Sequence, residues 1–188
     1  MMMKRFVTMA TLTMFLGFLP LVLHAQDWGA PNEMKGKFVI GGQVGAGFSG
    51  GGFHFGISPQ LGYRPVRSLE VGVRIGYDLD YYYRTYYGGS LFYHYFAGAV
   101  YANYEIYRGI YVHVEDEEMC CLVRGSAVNP SVPQWYNTVF AGGGYRQYIG
   151  TSYMYYALLF NMTGIFEGYY STPYASPYII RMGYCWSL

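Results

Sequence analysis

From residue 37 onward the chain alternates. Over 69 to 81, Leu69, Val71, Val73, Ile75, Tyr77, Leu79 and Tyr81 occupy one parity, and Glu70, Gly72, Arg74, Gly76, Asp78 and Asp80 the other. A period of two held over this length describes a β-strand with one apolar face. Residues 53 to 64 repeat the arrangement, with Phe53, Phe55, Ile57, Pro59, Leu61 and Tyr63 set against His54, Gly56, Ser58, Gln60, Gly62 and Arg64. Pro65 to Ser68 carries turn chemistry and joins the two as a hairpin. The same reading predicts strands at 37–48, at about 90–106, from 110 to about 117 after a Tyr107-Arg108-Gly109 turn, and at 136–147, 152–162 and 177–188. The last is the clearest: Tyr178, Ile180, Met182, Tyr184, Trp186 and Leu188 alternate with Ile179, Arg181, Gly183, Cys185 and Ser187.

Eight such strands could pack as a soluble sandwich, in which the large residues would meet in a shared core. Three features favour a closed barrel with the large residues outside. Several strands exceed ten residues, the opposite face is mostly glycine and small polar groups suited to a narrow lumen, and short turns alternate with longer Tyr-rich connections as in membrane barrels. Closure also pairs every strand edge, which lipid requires. The expected fold is therefore all-β, an eight-stranded antiparallel up-and-down transmembrane β-barrel over 37–188, with 26–36 as an N-terminal segment.

Composition fits this reading. Charged residues make up only 12% of the 188 positions, against 53% hydrophobic and 21% aromatic, with 24 tyrosines and 26 glycines. A soluble domain is roughly a quarter charged. High apolar content argues against disorder, and a net charge of +1 argues against nucleic-acid binding. Tyrosines near strand ends, such as Tyr81, Tyr82 and Tyr83, suit the aromatic girdles of an outer-membrane barrel. Residues 1–25 begin with Lys4 and Arg5, run apolar from Phe6 to Leu23 and reach Ala25 just before Gln26. That order is a secretory signal peptide, and Pro20 with the small residue at the cleavage point favours it over an anchor. The leader holds two of the 12 basic residues and none of the 11 acidic ones, so the exported chain is close to neutral.

Candidate chemistry lies on the inward parity: Glu70, Arg74, Asp78, Glu105, His113, Glu115, Arg146 and Arg181, with Asp80 and Glu117 beside them. An eight-stranded barrel is just wide enough for side chains to fill, and an unpaired charge there carries a large desolvation cost. The expectation is an ion-pair network that plugs the lumen; a narrow channel for ions or small solutes is the alternative use of the same residues. His113, Glu115 and Glu117 could offer metal ligands, but each step along a strand face is roughly 7 Å, and no metal or cofactor is expected. Gly45 to Gly50 spells G-x-G-x-x-G without the helix that dinucleotide binding needs, and so predicts a hairpin. Cys120 and Cys121 are expected in a loop at the far end from Cys185, leaving Cys185 a free thiol facing the lumen. His94 with Ser90 is the best pair for a lipid-modifying enzyme and has no evident third partner; no catalysis is expected. Loops 82–89, 117–135 and 163–176 would form a surface for a ligand.

Three segments resemble the small outer-membrane β-barrel proteins of Bacteroidetes, of the OmpA/OmpX architecture: Gly56 to Arg64 (GISPQLGYR), Gly142 to Gln147 (GGGYRQ) and Ser176 to Tyr184 (SPYIIRMGY). The resemblance implies outer-membrane location, the bilayer and the outer-membrane assembly machinery as partners, and no transferable activity. Two departures stand out. The Tyr-rich stretch 81 to 98 is enlarged, and the chain ends in Leu188 where such barrels usually end in an aromatic, with Trp186 and Tyr184 close by.

Overall fold

The computed structural model describes residues 37–49, 52–83, 89–125, 132–168, 173–174 and 176–188; the expected signal peptide and the whole N-terminal segment 26–36 lie outside them. Eight antiparallel strands close into a barrel in chain order: β1 (Phe38–Ser49), β2 (Gly52–Val66), β3 (Leu69–Tyr82), β4 (Leu91–Tyr107), β5 (Ile110–Gly125), β6 (Gln134–Ile149), β7 (Ser152–Asn161) and β8 (Tyr178–Ser187). A single turn of helix, α1 (Met162–Glu167), follows β7; the Asn161 side chain caps it by accepting from the Gly164 N–H.

The two ends differ. At one, two-residue turns join β2 to β3, β4 to β5 and β6 to β7, and both ends of the barrel chain meet there. Arg108 (φ 40°) and Gly109 (φ 88°) are both left-handed, the geometry that matches strand twist in a tight hairpin. At the other end lie the longer connections and the short one between β1 and β2; Gly45 to Ser49, expected within the hairpin turn itself, are still strand, and Ser49 pairs with Gly52.

Alternation decides which side of the wall each residue takes. Val73, Ile75, Phe96, Val100, Ile110, Leu158, Ile180 and Met182 are exposed on the outside, while Glu70, Arg74, Asn103, Glu115, Arg146 and Arg181 are buried inside. The apolar exterior is interrupted at Asp116 and Glu118, two outward residues of β5 that share the Asn137 amide at 2.8 and 3.1 Å.

One expectation needs correction. The loop placed at 117–135 is largely strand: β5 runs on to Gly125 and β6 begins at Gln134, so Cys120 and Cys121 pair with Phe96 and Tyr95 within the sheet. Residues 116–124 mix acid, apolar and thiol on both parities, so no apolar face marks this stretch, and pairing with the long β4 carries it instead.

Closure between the first and last strands is short. β1 pairs with β2 along its whole length, Phe38↔Tyr63 to Ser49↔Gly52, but with β8 only from Val39↔Ser187 to Gly42↔Tyr184. The Leu188 N–H donates to the Phe38 carbonyl at 2.8 Å, securing the seam at the short-turn end.

Candidate functional site

The lumen holds four buried guanidinium groups, Arg64, Arg74, Arg146 and Arg181, and four buried carboxylates, Glu70, Glu105, Glu115 and Glu117. Formal charge therefore cancels within this buried set. Each ion would lose several kcal/mol on leaving water, so the arrangement of partners decides whether the lumen is stable.

Near the short-turn end Glu70 is the hub. Arg64 reaches its Oε2 through Nε at 3.0 Å and Nη2 at 2.9 Å, and Arg146 Nη2 lies 3.2 Å away. The Tyr153 hydroxyl donates to the same carboxylate at 2.8 Å and Asn103 Nδ2 at 3.3 Å. Tyr101 arrives from β4 across the facing glycines Gly62 and Gly72, where a Cβ would lie 2.8 and 2.6 Å from its hydroxyl oxygen. Those glycines are what make room for the ring. Arg146 is also held between Tyr111 and Tyr153, 4.6 and 4.8 Å from their ring centroids, a cation–π arrangement strengthened by loss of water. Glu105 accepts from the Tyr148 hydroxyl and from the Gly109 N–H at 2.8 Å, tying a turn to the lumen.

A second cluster lies one level toward the long loops. Arg74 Nη2 donates to Glu115 and, at 2.6 Å, to Glu117; Arg181 donates to Glu115 at 2.6 Å and lies 3.5 Å from Glu117. Arg181 is also stacked over Phe140 at 5.0 Å. Tyr174, from the β7–β8 connection, donates to Glu117 at 2.6 Å. Burial first, then the Glu117 charge beside it, push that phenol well above its ordinary pKa, so it donates as a neutral hydroxyl. His113 links the clusters, with Nδ1 2.6 Å from Asn103 Oδ1 and Nε2 3.4 Å from Glu115. Between them remains a cavity of about 20 Å³ lined by Gln60, Asn103, His113 and Arg146 among others, room for about one water.

Of the sequence-predicted residues, Glu70, Arg74, His113, Glu115, Arg146 and Arg181 come together in these clusters, and Glu105 sits beside the first through Tyr148. Asp78 stands apart: it faces the wider half of the lumen with His54 Nε2 at 3.7 Å, and His54 Nδ1 in turn meets Asp80 at 2.6 Å. Arg64 belongs to the Glu70 hub although it was absent from the candidate set. Its inward parity on β2 was the available signal, masked by its place next to a turn. Tyr101, Tyr148 and Tyr153 were likewise hidden, because alternation does not say that a tyrosine's hydroxyl will reach a carboxylate.

Cys185 is a free, buried thiol that accepts from Gln60 Nε2 at 3.0 Å. His94 lies on the outer face with its Nδ1 3.0 Å from the Tyr77 hydroxyl. Ser90 is four residues away along the chain, roughly 13 Å at strand rise. Among the described residues no group of acids, histidines and cysteines has the arrangement of a metal site; His113, Glu115 and Glu117 are occupied by the contacts above. No protein family, curated protein or solved structure matches this chain.

Proposed function

We propose that the chain is an integral outer-membrane β-barrel, exported by a cleaved leader, with a structural or surface-interaction role and no catalysis. The observation that carries this is the inverted distribution of polarity: exposed Val, Ile, Leu, Phe and Met outside, and four arginines with four glutamates inside. Water would tolerate an apolar surface of this extent poorly, whereas lipid requires it. Asp116 and Glu118 are acidic exceptions on that exterior. They sit six and eight residues from the β4–β5 turn, roughly 20 and 27 Å along the strand and about 16 and 21 Å along the axis after strand tilt, on the loop side of the middle of a band about 25 Å tall. Acidic residues on a lipid face cost less there than at the midplane.

The bilayer and the outer-membrane assembly machinery are the partners this reading requires. The connections at the long-loop end, including α1, supply the surface for a ligand, since loops on a rigid scaffold carry binding. The lumenal network supports a plug rather than a pore. Reconstituted in a planar bilayer, the protein should give no stable open current. A steady current that is altered in Arg74→Ala would replace the plugged barrel with a narrow channel.

A further inference from the structure

Above the two charge clusters the described residues leave the lumen unfilled. A cavity of about 430 Å³ opens toward the long-loop end, within the size range of small-molecule sites. Its floor is formed by Arg74, Glu117 and Arg181, and its wall carries His54, Asp78 and Asp80. It is also lined by Val44, Ile180 and Met182, which belong to the outer parity of β1 and β8 and are 69%, 70% and 62% exposed. Outward residues can border a lumenal cavity only where the wall is open.

The register locates the opening. Pairing of β1 with β8 stops at Gly42↔Tyr184, although β1 continues to Ser49 on β2 and β8 begins at Tyr178 on β7. Continued at the same register, Val44 would face Met182 and Gly45 would face Arg181; neither pair forms. The result is a lateral slit with apolar lips that leads into the cavity.

Charge selects the occupant. Arg74 and Arg181 are matched by Glu115 and Glu117, whereas Asp78 and Asp80 share one imidazole. Among the described residues the open wall therefore has an acidic excess, while the slit and the Ala97 and Met119 side of the cavity are apolar. Arg74, which lines the cavity and is 6% exposed, has an Nε without a partner among the described residues. We infer that this half of the barrel binds one amphiphile from the bilayer, its alkyl chain leaving through the β1–β8 slit and its amine-bearing, positively charged head held by Asp78 and Asp80. The inference rests on the membrane-barrel reading and adds the site and ligand class.

The test uses the full barrel in lipid nanodiscs, with dodecylamine and dodecyl phosphate as probes and bound probe counted by native mass spectrometry. Gly45→Phe fills the cavity: a Cβ there meets only His54 Nε2, at 3.9 Å, so the fold should tolerate the ring. Wild type should retain one dodecylamine at a concentration where dodecyl phosphate is not retained. Gly45→Phe and the double variant Asp78→Asn/Asp80→Asn should each weaken amine retention at least tenfold. Equal retention of the two probes, or retention unchanged in both variants, would overturn the site. Heat-modifiable gel migration of the same samples reports folding and separates the two ideas: a soluble, unshifted protein defeats the membrane reading, whereas a shifted, lipid-embedded protein without amine preference defeats only the site.

Discussion

Glu70 is where a single side chain should matter most. It is fully buried and accepts from Arg64, Tyr153 and Asn103, with the Arg146 guanidinium also against it. Glu70→Ala leaves two guanidinium groups facing one another without their counter-ion, and removing one member of a buried pair costs about 3–5 kcal/mol. The folded fraction in a urea titration, read by heat-modifiable migration from detergent micelles, should shift accordingly. Asp78→Asn should move the same transition by less than about 1 kcal/mol, because a part-exposed pair contributes little. Equal effects from the two substitutions would mean that the hub is not what holds the lumen. The inward parity of Glu70, Arg74, Glu115, Arg146 and Arg181 is plain in the sequence, but which carboxylate takes which arginine is not. Pairing depends on which strands face across the lumen, and β2, β3, β6 and β7 converge on Glu70 only after closure.

At the scale of elements, strand number and most boundaries follow from alternation because each residue's choice of outward-facing or lumen-facing wall is binary. β3 at Leu69–Tyr82 and β8 at Tyr178–Ser187 differ from the expected spans by a residue or two. β5 shows where the rule runs out: Glu118, Cys120 and Arg124 take outward places that apolar residues hold elsewhere, and the strand continues because β4 offers a ladder as far as Leu91↔Gly125. The short β1–β8 seam was equally invisible, since both strands alternate cleanly through the region where they do not pair. In a chain whose three cysteines are replaced by serine, Ile40→Cys/Trp186→Cys should oxidise to a disulfide, as these residues are register partners and facing Cα atoms lie within bridging distance. Val44→Cys/Met182→Cys should stay reduced under the same conditions. Efficient cross-linking of the second pair would close the slit and remove the lateral route to the cavity.

In its described residues the molecule is a barrel filled at one end and hollow toward the other. Its short-turn half is filled by ion pairs, tyrosines and a cavity no larger than a water, and its long-loop half forms a cup with a side opening. The sequence carries the all-β class and the closed eight-strand count, because charge scarcity and alternation both concern faces. It does not carry the asymmetry between the halves, which depends on how far side chains such as Tyr153, Arg146 and Arg64 reach across the lumen. The central claim is that the exposed apolar face meets lipid. Ile75, 68% exposed on β3, reports on it directly through a fluorophore on Ile75→Cys in the serine background, with the protein incorporated into vesicles. Doxyl groups on the lipid chains should quench the emission strongly, and aqueous iodide should leave it nearly unchanged. Quenching by iodide with no effect of the lipid-borne groups would place that face in water and contradict the account.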